Sequence, residues 1–342
     1  MKKERILYFD IIKLLALICV LVCHYMRTLD FYQISYNFKL LPDNIFSIYT
    51  GTVGCVLFFI VSGASLEYVY HEQLKLKTYF IKRFKGIYPM FWISFVIFFC
   101  IYFYIDGGYN KNIPRWKIIL SMTGFDGIVN SFSSTFWTVG EWFLGVLIIL
   151  YILFPILKKL VDEFPYPSLA VSTLVGVIFD YTYSNSHVDI SVLFIVWIPA
   201  FVLGMVFVKR IKRVSNCLLI VSMIVLTIFT IFDLNFVYKM TSIYFVGASL
   251  FFILVYLFQD RVEKCGGGVY TLSSFAGRYC YPIFLVHHRM MLTLMRKFSK
   301  YSFSQGDVIC LFVFMILAIL AASYLVDKIT NSVLALWRKK NA

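Results

Sequence analysis

Apolar runs long enough to cross a bilayer recur from one end of this 342-residue chain to the other. A hydrocarbon core about 30 Å thick takes a helix of roughly 20 residues. In lipid every backbone N–H and C=O must be satisfied internally, so a chain built of such runs folds as a helix bundle. Ten runs are expected, at about 6–26, 45–69, 87–105, 136–157, 167–183, 190–208, 215–233, 240–258, 279–297 and 307–327. Only 15% of residues are charged, where a soluble domain carries about a quarter, and mean hydropathy is +0.81. The expected fold class is all-α: a polytopic integral membrane protein with about ten transmembrane helices. One membrane domain is expected over 1–342, with no fused extracytoplasmic domain. The first run reads as a span, being too long for a leader and lacking a small-residue cleavage site.

The net charge of +14 would suit a nucleic-acid binder, but the placement of the charges does not. With loops assigned alternately from a cytoplasmic N-terminus, 21 of the 32 Lys and Arg fall on the inner side and 9 on the outer. Lys13 and Arg289 lie within spans. This positive-inside bias puts both termini in the cytoplasm. The basic balance then reflects topology and contact with a lipid bilayer, and no nucleic acid is expected as a partner. The eight cysteines are scattered without a CxxC pair, so they read as small apolar residues and no metal is expected. Two outer loops, 106–135 and 27–44, are candidates for specificity; the first has aromatics able to stack on a sugar. The segment 259–278, with Gly266, Gly267 and Gly268, reads as a flexible cytoplasmic connection rather than a phosphate loop.

Asp10, Lys13 and His24 interrupt the first run. On a helix, Lys13 to His24 is about 20° past three turns and Asp10 to His24 about 40° short of four, so all three share one stripe. Ionisable groups at membrane depth ordinarily face a protein interior or a wet cavity, which makes the stripe a site hypothesis. With the N-terminus inside, Asp10 and Lys13 lie in the cytoplasmic third. His24 lies about 16 Å further along, near the outer end. The fourth run enters from outside and carries Glu141, so His24 and Glu141 can share a level. A carboxylate beside an imidazole holds its tautomer and raises its basicity. The second run places Ser62-Gly63 deep and Glu67 near the inner end. Lys82, Arg83 and Lys85 follow on the inside, where they could bind the phosphates of a soluble cofactor. In the ninth run His287 and His288 adjoin Arg289. Adjacent residues diverge by about 100°, so one of the two histidines is expected to face the interior.

Plainer explanations stand beside these. Asp10 and Lys13, at i and i+3, could be an intrahelical ion pair that makes the helix insertable. A histidine at a helix end can be an interfacial residue, and a basic run is expected at any inner membrane boundary. The stronger signal is several ionisable groups at two depths.

In order and spacing these features resemble the acyltransferase family 3 integral membrane proteins, bacterial enzymes that O-acylate surface glycans. The resemblance spans nearly the whole chain. It is carried by Arg5, Phe9-Asp10, Lys13 and His24; by Phe59-Ile60-Val61-Ser62-Gly63; and by Lys82-Arg83-Phe84-Lys85-Gly86-Ile87-Tyr88-Pro89. Further on come Trp137-Thr138-Val139-Gly140-Glu141 with Pro155, then Phe201-Val202-Leu203-Gly204-Met205, then Tyr281-Pro282-Ile283-Phe284-Leu285-Val286-His287. The chain departs from the family in having Lys13 for the usual Arg, which keeps the charge and loses the bidentate fork. It also has Gly86 where many members carry Arg, and Trp142-Phe143 for the usual Phe-Tyr.

The resemblance implies an O-acetyltransferase of the bacterial cytoplasmic (inner) membrane. Its donor is acetyl-CoA or another acyl-CoA, and its acceptor is a hydroxyl of a glycan or lipid-linked sugar. His24 is then the general base and Glu141 orients it. Lys13, Lys82, Arg83 and Lys85 handle the donor, while Asp10, Ser62 and His287 are further buried polar candidates. The rival reading is a carrier or flippase for a lipid-linked sugar or a proton-coupled solute, since buried Asp, Glu and His also build proton relays. A third is a non-catalytic membrane subunit of a polysaccharide synthase.

Overall fold

The structure, a computed structural model, describes residues 5–105, 107–108, 112–130, 132–136, 139–140, 142–183, 189–232, 239–262 and 267–340. Its helices are α1 (Leu7–Phe31), α2 (Thr50–Tyr70), α3 (Leu76–Ile105), the short α4 (Ile118–Thr123) and α5 (Asp126–Val129), and α6 (Trp142–Glu163). They continue with α7 (Pro165–Tyr183), α8 (Ile198–Val206), α9 (Asn216–Ile231), α10 (Lys239–Phe258), α11 (Gly267–Met295) and α12 (Gln305–Lys340). The strands among the described residues are two-residue pairs: Ser35–Tyr36 runs parallel to Ser302–Phe303, and Asn44–Ile45 antiparallel to Ile48–Tyr49.

Among the described residues, 7 helical segments are long and apolar enough to cross a membrane: α1, α2, α3, α6, Phe194–Ile211, α10 and Gln305–Leu336. The chain is an all-α, multi-pass membrane protein. The other three expected spans fall on α7, α9 and α11.

Several boundaries differ from those expected. Helix α3 begins at Leu76 rather than about 87, so the basic run 82–85 is helical. A hydropathy window ends a span at charge, whereas Lys and Arg are good helix formers and let the helix continue into the headgroup region. Helix α11 begins at Gly267 rather than about 279, so most of the expected flexible connection is ordered helix. Tertiary contact outweighs the glycines there, because Ser273 and Ala276 are buried.

The chain forms two compact units. One comprises Met1–Val20, Pro42–Lys75 and Val146–Gly277. Its centre is the crossing of α2 and α8, where two glycines let the backbones meet. A Cβ at Gly63 would collide with the carbonyl of Phe201, and one at Gly204 with that of Ile60. Small residues at such crossings are how membrane helices gain close packing without a hydrophobic driving force. Trp197 closes the same core, its ring 4.8 Å from that of Phe59. The C-terminal end of α2 carries Glu67, fully buried, whose Oε1 and Oε2 lie 3.1 and 3.3 Å from Lys158 Nζ on α6. Lys158 also donates to Asp162, which accepts from Lys209 at 2.7 Å.

The other unit comprises Leu21–Leu41, Leu76–Gly145 and Arg278–Ala342. Here the Tyr25 hydroxyl donates to Val308 O at 2.8 Å, and Arg278 donates twice to Asp327 Oδ2. Part of the segment 106–135 is helical: Trp92 Nε1 donates to Met122 O and Tyr88 to Thr123 O, fixing α4 to α3. The strand pair at Ser35 and Ser302 ties the segment after α1 to that after α11, with Ser35 N donating to Tyr301 O at 3.0 Å.

Candidate active site

Asp10 is buried near the start of α1, and its carboxylate collects three donors. Lys13 Nζ lies 3.3 Å from Oδ1, Arg5 Nε 3.3 Å from Oδ2, and the Ser273 hydroxyl donates to Oδ2 at 2.7 Å. The i, i+3 ion pair named as the plainer reading is present, within a larger cluster. Arg5 reaches Asp10 across Gly277, where a Cβ would collide with the guanidinium. Ser62 is half-buried on α2 beside the Gly63 crossing. Lys82 and Lys85 are exposed on α3, Arg83 is half-buried, and a Cβ at Gly86 would meet open space.

His24 stands on α1, half-buried, among other histidines. Its ring centroid is 5.0 Å from that of His287 and 4.5 Å from that of His288. As expected, one of the adjacent pair turns inward: His287 is fully buried and His288 is half-buried, and both rings meet His24. His287 Nδ1 is 2.8 Å from Phe284 O. A carbonyl only accepts, so Nδ1 carries the proton and Nε2 is the basic nitrogen of that ring. Among the described residues, no three His, Cys, Asp or Glu are grouped to hold a metal ion. Glu141, with Trp137 and Thr138, lies outside the described residues. Gly140, just before α6, has φ of 82°, and a Cβ there would press on the rings and side chains of Phe91 and Leu144. A glycine is thus required at that position of the motif.

His288 opens onto a cavity of about 1180 Å³. Among the described residues, its walls come from the ends of α1, α3 and α11, through Arg27, Asp30, Tyr102, Arg289 and Arg296 among others. Sequence reasoning missed this wall; the available signal was a set of cations in segments expected to carry few Lys and Arg.

The profile of a family described as an acyltransferase domain matches residues 6–328, from one residue after Arg5 to beyond Asp327. The chain belongs to that family. It is a membrane acyltransferase. No curated protein and no solved structure matches the chain. Two of the family-like motifs of this acyltransferase are explained by packing: the Ser62-Gly63 and Gly204-Met205 elements are the two faces of the α2–α8 crossing.

Proposed function

We propose that this acyltransferase moves an acyl group, acetyl foremost, from cytoplasmic acyl-CoA to a hydroxyl of an extracytoplasmic glycan or lipid-linked sugar. The observation that carries the reading is His24 beside His287 and His288 at the edge of a large cavity. His24 takes the proton of the acceptor hydroxyl as its oxygen attacks the thioester carbonyl. The thiolate of CoA leaves and is protonated to the free thiol. Glu141 orients the imidazole, and Lys13 lines the donor path. Lys82, Arg83 and Lys85, at the inner end of α3, take the nucleotide phosphates. The pantetheine arm is roughly 15–20 Å long by covalent geometry, close to the rise of about 16 Å between Lys13 and His24. The setting is a bacterial cytoplasmic membrane with both termini inside.

The test is acetyl-CoA turnover by purified protein in lipid nanodiscs, with CoA release as readout. His24→Ala should lower transfer about 10²–10⁴-fold with the fold intact. Transfer at the wild-type rate by His24→Ala would sink the histidine base. If wild type neither binds nor turns over acetyl-CoA, the carrier reading takes its place.

A further inference from the structure

Among the described residues, the lining of the cavity beside His288 is more positive than its position calls for. Its lining holds Arg27, Arg289, Arg296 and Lys297 against one carboxylate among the described residues, Asp30. With both termini inside, this end faces outward, where Lys and Arg are ordinarily few. Arg27, Arg296 and Lys297 are three of the nine outer cations, and they converge on one cavity with Arg289, one of two cations within spans.

Helix-end electrostatics offer a plainer account of part of this. Cations are favoured at helix C-termini, and Arg27 is near the end of α1 while Arg296 and Lys297 follow α11. That account does not reach Arg289, which lies further back within α11. Its guanidinium carbon sits 5.0 Å from the Tyr102 ring centroid. Tyr102 is itself pinned, its hydroxyl 3.0 Å from Arg289 O and 2.6 Å from Thr293 Oγ1. A guanidinium held over a fixed ring is a positioned fork, the form suited to bidentate capture of a carboxylate or phosphate. A neutral sugar would need only stacking and hydroxyl contacts. The volume of about 1180 Å³ exceeds the usual small-molecule range of about 300–1,000 Å³, leaving room for more than one sugar unit.

We propose that the cavity selects its acceptor by charge: the acceptor is an anionic glycan, bearing phosphodiester or carboxylate groups along its chain. Arg289 and Arg296 hold an oxyanion while a neighbouring hydroxyl is turned toward His288 and His24. The inference rests on the acyl-transfer reading above for what happens next, but not for binding.

Binding is therefore measured apart from turnover, by titrating the full-length protein in zwitterionic nanodiscs. The probes are a glycerol-phosphate hexamer, a galacturonate hexamer and a neutral N-acetylglucosamine hexamer. One anionic hexamer should bind at least about tenfold tighter than the neutral one, with the preference shrinking as salt rises. Which one binds names the oxyanion. Arg289→Gln and Arg296→Gln should each weaken anionic binding about tenfold and leave neutral binding unmoved. Arg289→Lys, which keeps the charge and loses the fork, should fall between. Equal binding of all three probes, no binding of either anionic hexamer, or an equal loss for neutral and anionic probes overturns the proposal. So does full displacement of the anionic hexamer by phosphatidylglycerol in the disc, which would make the cavity a lipid-headgroup site. Selective anionic binding without CoA release from acetyl-CoA would leave the anion site standing and remove the transfer chemistry.

Discussion

Asp10 shows how one buried charge organises its surroundings. A carboxylate in an apolar span is costly unless it is paired and hydrogen-bonded. Here Arg5, Lys13 and Ser273 supply those partners. Lys13 is held one turn from Asp10 and so cannot swing freely along α1. Asp10→Asn keeps a partner for Ser273 but removes the charge that both cations face. Because Arg5 is half exposed, its share is discounted, and the expected loss is about 1–3 kcal/mol. Thermal unfolding in detergent checks this: an unchanged Tm would mean the cluster adds nothing to stability. The Asp10–Lys13 pair was legible from i, i+3 spacing. Arg5 and Ser273 were not, since pairing Asp10 with Ser273 depends on α11 extending back to Gly267. His24 was legible as a polar group on a stripe, but its two histidine neighbours come from α11, a contact no local pattern encodes.

At the scale of elements, hydropathy located the apolar centres of helices and missed their polar ends. Both α3 and α11 run on through charged or glycine-containing sequence that a hydropathy window discards. Hydropathy likewise gives no sign that Lys158 is buried against Glu67. That pair joins α2 to α6, and through Asp162 to Lys209. Removing one partner of a buried pair strands the other charge, at a cost of about 3–5 kcal/mol. Lys158→Met should therefore lower Tm sharply. Adding Glu67→Leu should restore most of it, because the stranded carboxylate is gone while Asp162 keeps Lys209. A double variant as unstable as Lys158→Met alone would show that packing, not the unpaired charge, carries the loss.

For the whole molecule, the proposed chemistry depends on which end faces which side. Acyl-CoA is cytoplasmic, so the exposed Lys82 and Lys85 must be reachable from inside, and the cavity at Arg296 from outside. The asymmetry of 21 expected inner against 9 expected outer Lys and Arg favours that orientation, a bias that acts during insertion and is independent of any site. It makes a direct prediction at two exposed positions, Lys75 after α2 and Lys39 after α1. In a chain whose eight native cysteines are replaced, Lys39→Cys should react with a membrane-impermeant maleimide on intact cells. Lys75→Cys should react only once the membrane is opened. The reverse pattern would turn the molecule over and put the basic cavity on the donor's side. Arg289 and Arg296 would then be candidates for the phosphates of acyl-CoA rather than for an anionic glycan. Reaction of both positions on intact cells would mean that α1 and α2 do not run in opposite directions across the membrane.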